Sequence, residues 1–360
     1  MGKKAIDFGT FVSRKETFII AEIGKNFIET KEDQTLEHYL ENAKHLIQEA
    51  KKAGADAVKF QTHQVEDEQM NIPVTSPHFL GNERYGWVTR NTLPRHFWEE
   101  LMGFCHKEEI IFFSTPMSRG AAKILDSLDV PLWKVGSGDI LDFVMLDYLA
   151  STGKPVIISS GMSTLEELDL AMKFLKKKNI STVLLHCVSK YPCSPEDMNL
   201  NTIVFLRKRY GVPVGFSDHS LGHDSVLAAI KLGAVVIEKH FSLSRDLFGA
   251  DHKTSMTPDE FKEMVIAVRT KEKTFGQVSY GVEDKILRDD EAIFRPLFRK
   301  SLVFSSALKP GTVINPEMLY AMRPQLHIKG LPSERYESVI GGVLRREVKK
   351  YQGVQANDFE

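Results

Sequence analysis

The runs VPVGFSDH at 212–219 and AVVIEKHF at 234–241 decide the fold of this chain. Each is a short apolar stretch rich in β-branched residues that ends in charged and imidazole side chains. The amphipathic stretch 225–232 lies between them. Strand, helix and strand in that order make a βαβ unit with parallel strands. Working towards the N-terminus, the same kind of run recurs at 18–24, 57–63, 110–116, 132–138, 156–161 and 182–187, which brings the count to eight. Helical patterns at 36–53, 94–109, 164–178 and 199–210 separate several of them, and 259–273 supplies a last helix. Gly54 and Gly233 read as C-terminal caps, and Thr164 followed by Glu166 and Glu167 reads as a capped helix start. Eight such units predict an α/β fold, the TIM (β/α)8 barrel.

The rest of the chain is read against that barrel. Residues 1–280 form the catalytic barrel, 281–299 a linker with little periodicity, and 300–360 a small β-rich domain of short runs and turn signals. So short a domain has few residues for a core and is expected to lean on a partner surface. The polar stretch 64–93, with Pro73, Pro77, Gly81 and Gly86, is too long for an ordinary loop and is expected to lie over the barrel mouth.

Composition narrows the partners. Lys and Arg number 47 against 48 Asp and Glu, so no global field attracts nucleic acid or an anionic membrane, and an anionic ligand must be held by local charge. Three cysteines do not make a disulfide framework, the first residues lack a signal-peptide core, and no run is apolar for the roughly 18 residues of a membrane span. A cytoplasmic location is expected.

A TIM barrel carries its active site at the carboxyl ends of its strands. His219 and His240 end adjacent strands, and two imidazoles with water can hold Mn, Fe, Co or Zn; Asp218 could orient His219 through its ring N–H. The bland alternative makes one of them a satisfied structural histidine. Lys59 and Lys134, with Ser137, Ser159 and Ser217 in tight turns, point to a phosphate or carboxylate ligand, against the alternative of lysines that merely reach solvent. Glu22 and Glu238 end otherwise apolar strands and must have a partner or a task, as general acid or base or as grips for sugar hydroxyls. Near Cys187 and Cys193 the spacing is wrong for zinc, and Ser189 and Tyr191 are the better ligand contacts.

These strand ends resemble the N-acetylneuraminate (sialic acid) synthase family over essentially the whole chain. The resemblance rests on AEIG at 21–24, VKFQ at 58–61, WKVGSGD at 133–139, ISSGMS at 158–163, LHC at 185–187 with Tyr191-Pro192, GFSDH at 215–219, IEKHF at 237–241 and DHKTS at 251–255. Arg299-Lys300-Ser301-Leu302 and Arg323-Pro324 look like the antifreeze-like (SAF) domain of such synthases. The resemblance implies condensation of phosphoenolpyruvate with the open-chain aldehyde of N-acetylmannosamine or a related N-acetylated amino sugar. It implies a divalent metal on His219 and His240, Mn2+ first, with Mg2+ or Co2+ as alternatives. It assigns Lys134, Ser137, Ser159, Ser189 and Ser217 to phosphoenolpyruvate, with Lys59 and Asp139 nearby. Glu22, Gln61, Tyr191, Glu238 and Asp251 fall to the sugar, and Arg323, from the tail of a second subunit, to its N-acetyl group, hence a domain-swapped homodimer. The family commonly has Asn-His-Asn-Gly where this chain has Lys25-Asn26-Phe27-Ile28, and Lys-Arg-Pro-Gly where it has Met322-Arg323-Pro324-Gln325; both departures fall near expected sugar contacts. Another barrel aldolase or deoxy-sugar-acid synthase, and an inactive sugar-binding assembly protein, are the competing readings.

Overall fold

The computed structural model describes residues 8–14, 16–75, 83–272, 276 and 278–360. Its strands are β1 (Phe18–Gly24), β2 (Ala57–Thr62), β3 (Ile111–Pro116), β4 (Trp133–Val135), β5 (Val156–Ser159), β6 (Thr182–Cys187), β7 (Val214–Asp218) and β8 (Val236–His240). They are parallel and hydrogen-bonded in the order β3-β2-β1-β8-β7-β6-β5-β4. First and last strands therefore pair, with Glu22 beside His240. β4 comes alongside β3 to complete the ring, and helices between strands cover it, giving the TIM barrel.

Strand periodicity then sorts each side chain. Phe18, Ile20, Ala57, Phe113, Leu132, Ile157, Val183, Leu185 and Val236 point inward and pack as one apolar plug, closed below by Phe8. Two residues further along the same inward stripes stand Glu22, Lys59, Lys134, Ser159, Cys187 and Glu238. The interior is thus apolar at its floor and polar at its top. Gly215 keeps β7 close to its neighbours, since a Cβ there would lie 2.4 Å from the Val236 carbonyl oxygen.

Caps end the helices as their residues dictate. Thr164 with Glu167 and Thr257 with Glu260 form capping boxes, while Gly54 and Gly233 follow their helices at φ +92° and +96°. The fourth strand is shorter than 132–138: the Asp139 N–H donates to the Gly136 carbonyl at 3.0 Å, and Ser137–Asp139 turns as a 3-10 helix. No helix among the described residues is long and apolar enough to cross a membrane.

Three segments carry structure that their sequence patterns did not show. The stretch 64–93 contains helices Val65–Glu68 and Arg84–Asn91, with 76–82 outside the described residues. The expected linker carries helices Asp289–Ala292 and Arg295–Phe298 and packs against the barrel mouth. The tail has only two short strands, β9 (Ser301–Phe304) and β10 (Leu319–Met322), antiparallel; isolated bridges and 3-10 turns make up much of the rest. Its apolar residues, among them Leu302, Leu319 and Tyr336, join the core between strands and helices of the barrel. Lys300 reaches Asp142 at 2.7 Å, and Arg119 of the barrel donates to the Leu319 carbonyl at 2.8 Å. Within the single chain, the surface on which the tail leans is the barrel.

Candidate active site

One cavity opens at the carboxyl ends of the strands, and the register builds its wall. Glu22 lies beside Lys59 across β1 and β2, and Ser217 beside Glu238 across β7 and β8. Lys59 Nζ sits 2.6 Å from Glu22 Oε2, 2.9 Å from Thr115 Oγ1 and 3.7 Å from Glu238. Lys134 Nζ donates to Ser159 Oγ at 2.6 Å and lies 3.8 Å from Glu238, which accepts from Ser217 Oγ at 3.0 Å. Gln61 donates to Glu22 at 3.0 Å. Two cations and two carboxylates thus share a buried floor.

Neighbouring charges set the two buried acids apart. It pushes Glu22 up to about 7 against the pull of Lys59, with Glu238 adding repulsion. For Glu238 burial also opposes the charge, but Lys134 and Lys59 outweigh it and the pKa falls below its usual value. One carboxyl is therefore set to hold a proton near neutrality and the other to stay ionised, the arrangement that separates an acid from a base. Burial lowers Lys134, whereas Glu22 and Glu238 outweigh it at Lys59 and raise that pKa.

Serine hydroxyls converge beside the lysines because Gly161 lets them. A Cβ at Gly161 would lie 2.4 Å from Ser189 Oγ and 2.7 Å from Ser137 Oγ. Cys187 lines the same wall, 3.5 Å from Ser137 Oγ, and the three cysteines are free.

The two imidazoles meet, with ring centroids 5.3 Å apart, and Tyr191 packs on His219 at 4.1 Å. His219 Nδ1 is 2.8 Å from the Val188 carbonyl, so it carries the hydrogen and leaves Nε2 with its lone pair. Asp218 does not orient this ring: its carboxylate faces Lys239 at 2.6 Å and the Ser220 N–H at 2.8 Å, because neighbours on a strand point to opposite faces. Burial pushes His240 down to about 4, which keeps it neutral, and its Nδ1 is buried without a partner. Among the described residues no group of three or more His, Cys, Asp or Glu stands in metal-holding geometry. The residues fit an ion that takes two imidazoles from the protein and its remaining ligands from water or substrate.

The cavity wall takes in Glu22, Lys59, Gln61, Lys134, Ser137, Asp139, Ser159, Ser189, Tyr191, Ser217, His219, Glu238, His240 and Asp251. Arg323 stays outside it. The residue is fully buried, pairs with Asp139, donates to the Met117 carbonyl at 3.3 Å and stacks near Phe298, so it backs the wall rather than facing a ligand. It reaches that place in its own chain. Asp139, held by Arg323 and by Lys300 at 2.8 Å, is committed to docking the tail.

Other wall residues escaped the sequence reading. Lys25 lies 3.5 Å from the Trp87 ring centroid, and His63, Arg84, Phe294 and Phe298 complete the mouth. Arg84, Phe294 and Phe298 come from the insertion and the connecting segment, where no strand-end pattern marks them; the unusual Lys25, and the place of His63 at the end of the run 57–63, were the available signals.

Comparison with known proteins places both parts of the chain in known families. The NeuB family model matches residues 46–280, and the SAF domain model matches 299–360. A pseudaminic acid synthase of Campylobacter jejuni is 32% identical over 99% of this chain and 100% of its own length. A human N-acetylneuraminate-9-phosphate synthase is 34% identical over 90% of this chain and 87% of its own. The crystal structure of the Bacillus subtilis spore coat polysaccharide biosynthesis protein spsE superimposes with a TM-score of 0.76 at 30% identity, over 96% of this chain and 95% of that one. A barrel with this buried lysine, serine and carboxylate floor, joined to such a tail, belongs to the NeuB family of synthases with a C-terminal SAF domain.

Proposed function

We propose that this chain condenses phosphoenolpyruvate with the open-chain aldehyde of an N-acetylated amino sugar, N-acetylmannosamine or a relative of the legionaminate or pseudaminate type. The products are a nine-carbon 2-keto-3-deoxy sugar acid and phosphate. The observation that carries the reading is one buried cavity in which Lys59 and Lys134, with Ser137, Ser159, Ser189 and Ser217, adjoin two facing imidazoles and an unequal pair of carboxyls.

Lys134 and the serines hold the phosphate and carboxylate of the enol, with Lys59 beside them, and fix its carbon 3 against the aldehyde carbon. A carbon–carbon bond forms between those atoms as the enol electrons move, and the aldehyde oxygen takes up negative charge. Glu22, protonated near neutrality, delivers a proton to that oxygen. Water adds at carbon 2, the bond to phosphate breaks, and the ketone remains; ionised Glu238 receives the proton of that water. Asp251, Gln61 and Tyr191 position the sugar. A Mn2+ ion, or Mg2+ or Co2+, held by His219 and His240 would supply Lewis acidity towards a carbonyl oxygen.

A homodimer with exchanged tails belongs to the same proposal. The contacts that seat the tail, Arg323 on Asp139 and Lys300 on Asp142, can be offered equally by the tail of a second copy. Barrel and tail form one unit in either case, since Asp139 and Asp142 are buried and need those cations. The cytoplasm, where phosphoenolpyruvate is made, is the proposed location.

The deciding experiment supplies purified protein with phosphoenolpyruvate, Mn2+ and a panel of N-acetylated hexoses, and reads phosphate release and product mass. One sugar should give phosphate and a product heavier by the pyruvate unit. Folded protein that is silent across the panel, or that works with pyruvate in place of phosphoenolpyruvate, overturns the reading, the second outcome in favour of an aldolase.

A further inference from the structure

His63 follows β2 and is 1% exposed, yet its ring lies in the cavity wall with Lys25 and Trp87. Its Nδ1 is 2.8 Å from Glu68 Oε2. Burial works against the Glu68 charge, but the His63 contact and Arg323 outweigh it and hold the carboxyl down to about 2, so Glu68 accepts and Nδ1 carries the hydrogen. Nε2 is then a bare lone pair, buried and without a partner. A buried acceptor left unpaired is costly, so this lone pair suits a hydrogen-bond donor from a ligand in the cavity.

The tail holds this dyad in place. The Arg323 N–H donates to the Glu68 carbonyl at 3.0 Å, and the Met70 N–H donates to the Arg323 carbonyl at 2.9 Å, so the tail adds its backbone to the segment that bears Glu68. The Trp87 ring meets the His63 ring edge to face at 5.4 Å and carries the Lys25 ammonium 3.5 Å from its centroid. Donor and acceptor therefore stand on one aromatic side chain.

We propose that His63, oriented by Glu68, is a specificity-determining residue whose Nε2 accepts a hydrogen bond from an uncharged hydroxyl or amide N–H of the sugar. Burial lowers the His63 pKa, which keeps the ring neutral and the lone pair available. Such a lone pair repels a phosphate or carboxylate, so the sugar presents a neutral donor at this wall. The inference rests on the function proposed above.

The test is steady-state kinetics on the full chain with N-acetylmannosamine, its 6-phosphate and a 2,4-diacetamido-2,4,6-trideoxyhexose. For whichever sugar the wild type uses, His63→Leu should raise the sugar KM about tenfold while the phosphoenolpyruvate KM stays within about twofold. His63→Gln, which returns an amide oxygen near Nε2, should recover most of the loss. Comparing the three sugars separates a hydroxyl donor from an amide donor. Should His63→Leu fold poorly beside an unpaired Glu68, the double variant His63→Leu/Glu68→Met removes the stranded carboxylate as well and gives the same reading. An unchanged sugar KM in folded variants of an active enzyme defeats the inference alone, as does an equal rise in both KM values. A silent wild type defeats the proposed function and this inference with it.

Discussion

Glu291 Oε1 lies 2.7 Å from the backbone nitrogen of Ser189, which donates to it across 102 positions of chain. The same oxygen accepts from the Met162 N–H at 3.3 Å. A residue of the segment leaving the barrel thereby sets the two turns that carry Ser159 and Ser189. Its carboxylate is buried and outside the cavity wall, so it positions these turns without touching substrate. Glu291→Ala should raise the phosphoenolpyruvate KM about tenfold through the loss of a charge-assisted contact of roughly 1.5–3 kcal/mol. Glu291→Gln should keep most of it, and the sugar KM should hardly move. Initial-rate measurements with each substrate varied in turn check this, and a fall in kcat alone would speak against it.

Glu22 gives a prediction in pH. Its folded pKa, about 7, exceeds the ordinary glutamate value of 4.5, so the folded state binds the proton more tightly than the unfolded one. Its contribution to stability is complete below pH 4.5 and is lost as pH rises through about 7. Glu22→Gln cannot ionise, so its melting temperature should gain on the wild type between pH 5 and 8. In activity, the wild-type rate should fall above pH 7 as the acid is lost, and the variant should be slower by about 100-fold or more. Thermal melts and pH–rate profiles measured on both proteins decide the point; a constant melting difference across that range would remove the raised pKa.

The paired imidazoles predict a weak, exchangeable ion. His240→Ala should abolish Mn2+ binding by electron paramagnetic resonance and turnover together, while the melting temperature stays close to wild type. Chelation of the wild type should stop turnover reversibly, with Mn2+ restoring it. A variant that still binds Mn2+ and turns over would take His240 out of the site.

Exchange of tails is read by complementation. His240→Ala spoils a barrel and Arg323→Ala spoils a tail, so each variant alone should be inactive. Random pairing on co-expression makes about half of the dimers mixed, each with one intact site if the tails are exchanged, and about a quarter of wild-type activity should return. Zero recovery from dimeric protein would show that each barrel uses its own tail.

The barrel was legible in the sequence because strand periodicity is local. Alternation in runs such as 18–24 and 234–241 places Ile20 and Val236 inside, and the same alternation two or four residues on delivers Glu22 and His240 to the mouth. The tail was legible as a short β-rich unit, though its many bridges and 3-10 turns were not. The part the connecting segment plays was not legible, because Glu291, Phe294 and Phe298 acquire meaning only where the segment packs on the mouth. Arg323 was read as a ligand contact, whereas packing turns it to Asp139 behind the wall.

What the sequence determined by itself was therefore which residue types stand at the strand ends, since backbone geometry alone assigns each to the inside or the outside of the barrel. Tertiary structure alone decided their protonation and partners. The split between Glu22 and Glu238, the Val188 carbonyl as the orienting group of His219, and the Glu68–His63 pair all depend on burial and on distances between segments far apart in the chain. Electrostatic energy depends on that separation and on exclusion of water, and neither is written in local sequence.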